Sequence, residues 1–410
     1  MCVSNHNAYT PQLVSIGPYH HGDPKLAAME VHKKRYLNSI LKRTNQVTVE
    51  PYIKAMMALE GRARDYYANP IVLDQDEFIE MMVLDGCFVI EFLGKLTLSA
   101  EMRADDPIFQ ASWMELIVAR DLVVLIENQL PFFVLSKLYD MIDGFPDIPF
   151  SSFMEDCIIN FLGDSIPISN SDNSSAHTSS PDTPRKSEGS KHFLDLMHKV
   201  CAPSTGYANL MMTSDGEEIC VNIPCVVELQ EAGVKFRPGG VKEGGGGDGI
   251  CIFDIDFEGG QMTIPKIDVG RMTQTIFHNM VAYEQYTSDF EPKYFTSYTF
   301  FMHLLINSEK DVNQLCCCNI FYYKACNDQG VARMFEALGE GRVLMGNSFY
   351  LSKLCKDVNA HCDKSWNKLM ARLRRDYFYS SWASISTFAA AFLILLTVIQ
   401  TVVALITLLG

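Results

Sequence analysis

Two carboxylates set in apolar helical sequence, Asp85 and Glu127, are the side chains of this 410-residue chain whose types and setting point first to chemistry. If they faced each other across a pocket, the pKa of one would rise and the pair could act as general acid and base, as in a hydrolase or transferase. Glu127 also opens the run Glu127-Asn128-Gln129-Leu130-Pro131. Pro131 lacks a backbone donor and should interrupt the preceding helix, freeing carbonyls for side-chain amides to satisfy. Asp85, Glu127, Asn128 and Gln129 then form a structural polar cluster that caps the broken helix and fixes its register. No nucleophile, metal set or phosphate loop accompanies them, so the structural use is the expectation, with no catalytic, cofactor or metal residue assigned and no cofactor expected.

Three further motifs invite chemistry and have plainer explanations. His20-His21 lies in the turn-rich stretch Ser15 to Gly22, but adjacent histidines point different ways and no metal-ligand partner lies nearby, so a packed turn is expected. Gly244 to Gly249 matches G-x-G-x-x-G. A dinucleotide loop must follow a strand and open a helix, whereas here a strand follows, so the run reads as a flexible hairpin loop. Asp254 and Asp256 have the spacing of a metal–nucleotide motif. They also fall on the polar side of an alternating strand, Ile250 to Glu258, with Cys251, Phe253, Ile255 and Phe257 on the other side.

The elements that must position these residues read mainly as helices: a multi-helix globular body with a small β-hairpin near 250–267. Apolar periodicity places helices at about Leu26–Leu41, with Lys33, Lys34 and Arg35 toward solvent, and at Ile53–Tyr67, Phe78–Leu93 and Trp113–Leu130. Others fall near Phe193–Cys201, Val226–Ala232, Met272–Tyr286, Thr296–Asn307, Asp311–Cys318, Val331–Leu338 and Phe349–Tyr377. Glu284 is expected as a buried hydrogen-bond partner. Residues 163–192, rich in Ser, Asn, Asp, Thr and Pro, divide an N-terminal helical part (1–162) from a C-terminal one (193–380) as a disordered linker or insertion. The Ser/Thr-Pro dipeptides there are candidate phosphorylation sites, and Asn173-Ser174-Ser175 is a candidate glycosylation sequon.

The chain carries a net charge of −15, which argues against non-specific binding to nucleic acid. Its thirteen cysteines, odd in number and unpatterned, read as reduced thiols. No signal peptide is visible at the N-terminus. Ser384 to Leu409 reads as a single C-terminal transmembrane helix, about 39 Å long at 1.5 Å per residue against a bilayer core of ~30 Å. Lys364, Lys368, Arg372, Arg374 and Arg375 precede it, and the positive-inside rule then puts the body in the cytosol, at the plasma membrane or an endomembrane. Ala389 to Ala391 and Gln400 would suit homo-oligomerisation through that helix.

Several stretches together resemble the plant-specific family called domain of unknown function 247. They are VSIGPYHHG (Val14–Gly22), EFIEMMVLDGCFVIEFL (Glu77–Leu93), DLVVLIENQLPFFVL (Asp121–Leu135), ELQEAGVKF (Glu228–Phe236) and NMVAYEQ (Asn279–Gln285), with a W-x-S-I-S-T-F-A-A-A segment near the C-terminus. The resemblance implies a land-plant protein with a mostly helical body and a C-terminal membrane helix, without an established enzymatic activity. It also implies a shortened N-terminus, since the family pattern carries more residues ahead of Ser15. Some grass members act in self-incompatibility, so a recognition role is among the implications. The resulting expectation is a membrane-anchored, non-enzymatic protein-interaction or signalling component; the alternative is a hydrolase or transferase using buried carboxylates.

Overall fold

Helix α3, Gln75–Thr97, is the element on which the N-terminal part packs. Asp74 and Glu77 begin it reciprocally: the Glu77 amide donates to Asp74 Oδ1 at 2.8 Å, and the Asp74 amide donates to Glu77 Oε2 at 3.4 Å. From Phe78 to Lys95 every residue except Glu80 is buried, the signature of a helix surrounded on all sides. Helices α1 (Glu30–Arg43), α2 (Glu50–Arg64), α6 (Phe132–Tyr139) and α7 (Phe150–Leu162) pack against it. Gly86 permits the close approach of α6, since a Cβ there would meet Leu138 Cδ1 at 2.2 Å. Between these elements lie the short α4, Pro107–Gln110, and α5, Ser112–Val123.

This computed structural model describes residues 8–44, 48–97, 103–142, 148–163, 166–167, 189–203, 222–239, 251–287, 293–323, 327–339, 349–364 and 381–409, with some side chains of the last segment left out. Most of the 163–192 segment, the sequon at Asn173, the glycine run Gly244 to Gly249 and the basic residues Lys368 to Arg375 lie outside the described residues.

The C-terminal part contains α8 (Phe193–Cys201), α9 (Val226–Glu231), α10 (Arg271–Tyr286), α11 (Tyr294–Leu305), α12 (Glu309–Cys317), α13 (Asp328–Gly339) and α14 (Ser352–Cys362). Its core is continuous with that of the N-terminal part: Val14 and Phe88 belong to the same buried cluster as Phe193, Phe277 and Phe335. The expected hairpin is present as β2 (Asp256–Glu258) antiparallel to β3 (Gln261–Pro265). Gly259 and Gly260 turn it at φ of 59° and 83°, the left-handed pair that a tight hairpin favours. Strand β1 (Lys235–Gly239) joins β3 in parallel, and a second sheet pairs β4 (Ile267–Asp268) with β5 (Phe321–Tyr322).

Three expectations are corrected here. The strand expected from Ile250 to Glu258 shrinks to Asp256–Glu258. Cys251, Ile252 and Phe253 are consecutively buried, which alternation forbids, because the Asp254 carboxylate accepts the Cys251 amide at 2.8 Å and turns the chain. The helix expected to reach Leu130 stops at Val123, eight residues before Pro131, which instead caps the start of α6.

The third correction concerns the transmembrane helix. Residues Ser381–Leu409 are helical, α15. Among the described residues no helix is long and apolar enough to cross a membrane. This counts against a single-pass membrane protein anchored through Ser384 to Leu409, and against the plasma-membrane or endomembrane location and cytosolic orientation inferred from that anchor.

Candidate functional site

The motifs converge on one place, the bed beneath residues 8–22. This N-terminal segment has little regular structure, so its backbone amides and carbonyls need partners from elsewhere. They find side chains. Asp121, at the end of α5 and fully buried, accepts the amides of Gln12, Leu13 and Val14 on one oxygen at 2.9, 2.8 and 3.2 Å. Its other oxygen lies 2.6 Å from Nη1 of Arg120, which also donates to the Thr10 carbonyl. Asn128, also fully buried, accepts the Ile16 amide at 2.7 Å and donates to the Val14 carbonyl at 3.0 Å. Asp85 accepts the Gly17 amide at 2.9 Å.

Asn279 of α10 completes the bed. It donates to the Ala8 carbonyl at 2.8 Å and accepts the Ile126 amide at 3.0 Å, joining the N-terminal segment, the α5–α6 loop and the C-terminal part at one side chain. Gly17 sits at φ 75°, and a Cβ on it would lie 2.8 Å from the Gln129 carbonyl oxygen. The motif therefore needs glycine here on both conformational and steric grounds.

The electrostatics beneath the segment are those of a buried ion pair. Lys33 Nζ lies 2.6 Å from Asp85 Oδ1, with side-chain exposures of 0% and 1%. Lys33 also reaches Glu30 at 2.6 Å and the Ser15 hydroxyl at 3.4 Å. Burial works against the Lys33 ammonium, but Asp85 and Glu30 outweigh it and hold its pKa above the ordinary value. Burial pushes the Asp85 and Asp121 carboxyls up, opposed by Lys33 and the Gly17 amide for the first, and by the Leu13 amide and Arg120 for the second.

The four cluster residues named from sequence divide. Asp85, Asn128 and Gln129 lie in the bed, and the two amides take up carbonyls freed where α5 ends. Asn128 donates to the Asp121 carbonyl at 2.9 Å, and Gln129 to the Leu122 and Leu125 carbonyls at 3.2 and 3.0 Å. Gln129 also accepts the Phe193 amide, fixing the start of α8. Glu127 is not with them. Its side chain is 60% exposed, with an oxygen 3.8 Å from His20 Nε2, so it does not face Asp85 across a pocket. Asp254 caps a turn and Asp256 is exposed on β2. Among the described residues no group of three or more His, Cys, Asp or Glu side chains could hold a metal ion.

A second polar centre ties α8 to α10 and α11. Glu284, fully buried, accepts the Phe295 and Thr296 amides at 2.9 and 2.7 Å and lies 2.9 Å from His198 Nε2, so it caps α11. His192 Nδ1 accepts the Asp195 amide at 3.3 Å at the start of α8, and burial depresses the His192 pKa to about 4. Asp195 accepts the Lys191 amide and the Tyr283 hydroxyl. Burial alone would raise its carboxyl; those donors, with Lys199, hold it below the ordinary value.

Sequence reasoning missed Lys33, Asp121 and Asn279. Lys33 carried a signal, since Met29, Lys33, Tyr36 and Ile40 follow the 4-3-4 spacing of one helix face and all four are buried. What the arrangement does chemically is hold peptide backbone. Its carboxylates are engaged by main-chain amides and by Lys33 and Arg120, and its side-chain amides by main-chain groups.

A mainly helical body whose centre is a clamp on its own N-terminal segment, built from the VSIGPYHHG, LDGCF, IENQLPFF and NMVAYEQ stretches, is the class of protein these features define. The family profile described as "Plant protein of unknown function" (DUF247) matches residues 1–396, and the chain belongs to that family. It is similar to the Arabidopsis thaliana UPF0481 protein At3g47200, at 30% identity over 98% of this chain and 83% of the relative. It is also similar to a second Arabidopsis thaliana UPF0481 protein, At3g02645, at 24% identity over 98% of this chain and 87% of the relative. No solved structure matches.

Proposed function

We propose that this protein is a non-enzymatic protein-interaction component whose buried carboxylates serve the fold and whose α5 surface receives a partner. The observation that carries the reading is the exposure of Trp113 and Leu116, 58% and 55%, one turn apart on the first turns of α5. Large apolar side chains held adjacent in water favour a protein partner, and tryptophan is the residue type most enriched where binding energy concentrates. The engagement of Asp85 and Asp121 by backbone amides supports the same reading, since a general base needs a free lone pair aimed at substrate.

The test is proximity labelling in plant cells with the wild-type chain and the Trp113→Ala/Leu116→Ala variant. Both positions are solvent-exposed, so the variant should melt within a degree or two of wild type. A defined set of labelled neighbours, lost in the variant, is the expected result. The same neighbours at the same yield in both would overturn the proposal.

A further inference from the structure

Away from the clamp and from α5, a cleft of about 760 Å³ opens between the end of α11, the start of α12 and α13. His303, Ile306 and Ala332 are among the residues that line it. The His303 ring lies against Gly339, where a Cβ would meet its Cγ at 2.2 Å, so the position depends on a glycine in α13. Nδ1 of that ring is buried and has no hydrogen-bond partner among the described residues. Such an atom normally bonds to something, and each exception in a native protein calls for an explanation.

The walls bring charges of both signs together. Lys310 and Glu309 stand on the α12 side, Arg333 and Glu336 on the α13 side. None of the four makes an ion pair within 4.0 Å among the described residues, although they line one concavity. All four are exposed and solvated, and together they offer charges of both signs to a ligand that carries both itself. Its lining mixes the apolar Ile306 and Ala332 with polar and charged side chains, and the volume falls within the ~300–1,000 Å³ that small-ligand sites span.

We propose that this cleft binds a short peptide with free termini, Lys310 and Arg333 facing its carboxylate and Glu309 and Glu336 its ammonium group. The cleft is separate from the α5 surface, so the two assignments stand or fall independently. A free amino acid carries the same pair of charges, and the experiment separates the two sources.

The experiment is isothermal titration calorimetry of the full chain with trialanine, N-acetyl-trialanine, trialanine amide and L-alanine at low salt. Saturable binding of trialanine is expected, weakened at least tenfold by blocking either end. In the Arg333→Gln/Glu336→Gln variant, both of whose positions are exposed, trialanine binding should likewise fall at least tenfold at an unchanged melting temperature. Alanine binding as tightly as trialanine, with the same sensitivity to the variant, would assign the cleft to free amino acids within the same chemistry. Absence of saturable heat with both probes, or binding indifferent to the blocked ends or to the variant, would overturn the proposal.

Discussion

Lys33 and Asp85 form an ion pair of 2.6 Å that is sealed from solvent, and Asp85 spends its other oxygen on the Gly17 amide. One helix face thus carries a charge into the core to meet a charge from another helix, and the N-terminal segment lies across them. Removing one partner leaves the other buried and uncompensated. Asp85→Leu and Lys33→Met should each cost about 3–5 kcal/mol in urea unfolding. The Lys33→Met/Asp85→Leu double variant should be less destabilised than the sum of the two, because it strands no charge. Additive losses would mean that the pair contributes nothing as a pair.

Asp121 accepts three consecutive amides, so Asp121→Ala should release the segment locally before the whole protein unfolds. Amide hydrogen exchange at Gln12, Leu13 and Val14 should accelerate, with a global loss of about 2–3 kcal/mol. Exchange unchanged at those three amides would show that something other than the carboxylate holds them.

Gly17 and Gly22 make an internal control. Both have positive φ, 75° and 78°, but a Cβ on Gly17 meets the Gln129 carbonyl at 2.8 Å while one on Gly22 meets nothing within 4 Å. Gly22→Ala should cost about 1 kcal/mol, the conformational penalty alone. Gly17→Ala should cost about 2 kcal/mol more, because backbone must move as well. Equal melting temperatures for the two variants would contradict this contact.

His192 supplies a pH dependence. Its folded pKa of about 4 lies below the unfolded value of 6.5, so between those values the unfolded chain binds more protons than the folded one. Stability should therefore fall as pH drops from 6.5 to about 4, by on the order of 3 kcal/mol. His192→Asn keeps a side-chain acceptor at the start of α8 and removes the titration, so its stability should be flatter across that window. Below it, Asp195 and Asp106, whose folded pKa values are lowered, add an acid-side loss. Asp106 owes its lowering to Lys95 and Tyr36, which prevail over burial. Equal slopes for wild type and variant from pH 6.5 to 4 would rule out a buried neutral His192.

Much of the helical plan was legible because apolar periodicity survives in sequence: the helices expected near Phe193–Cys201 and Met272–Tyr286 are Phe193–Cys201 and Arg271–Tyr286. Glu284 was expected as a buried bonding partner and is one. Lys33 was read as solvated because two basic residues follow it, although it lies on the apolar stripe. Asp121 beside Arg120 resembles an ordinary surface pair. Its partners are backbone amides 107 to 109 residues away, which no side-chain pattern announces. Glu127 was grouped with Asn128 and Gln129 by adjacency, yet in a turn neighbouring side chains diverge, and one of the three points outward. The transmembrane expectation rested on composition from Ser384 to Leu409, and among the described residues no helix is long and apolar enough to cross a membrane.

The bond between Asn279 and the Ala8 carbonyl has a consequence in time rather than in space. It joins residues 271 apart in the sequence, so the Ala8 carbonyl can meet this partner only after Asn279 has been made. At about 5–20 residues per second, that bond can form only on the order of 15–50 s after Ala8 is made, whereas the Asp85, Asp121 and Asn128 contacts to residues 12–17 can form earlier. Synthesis interrupted before Asn279 would therefore leave residues 12–17 clamped and the Ala8 carbonyl without this partner.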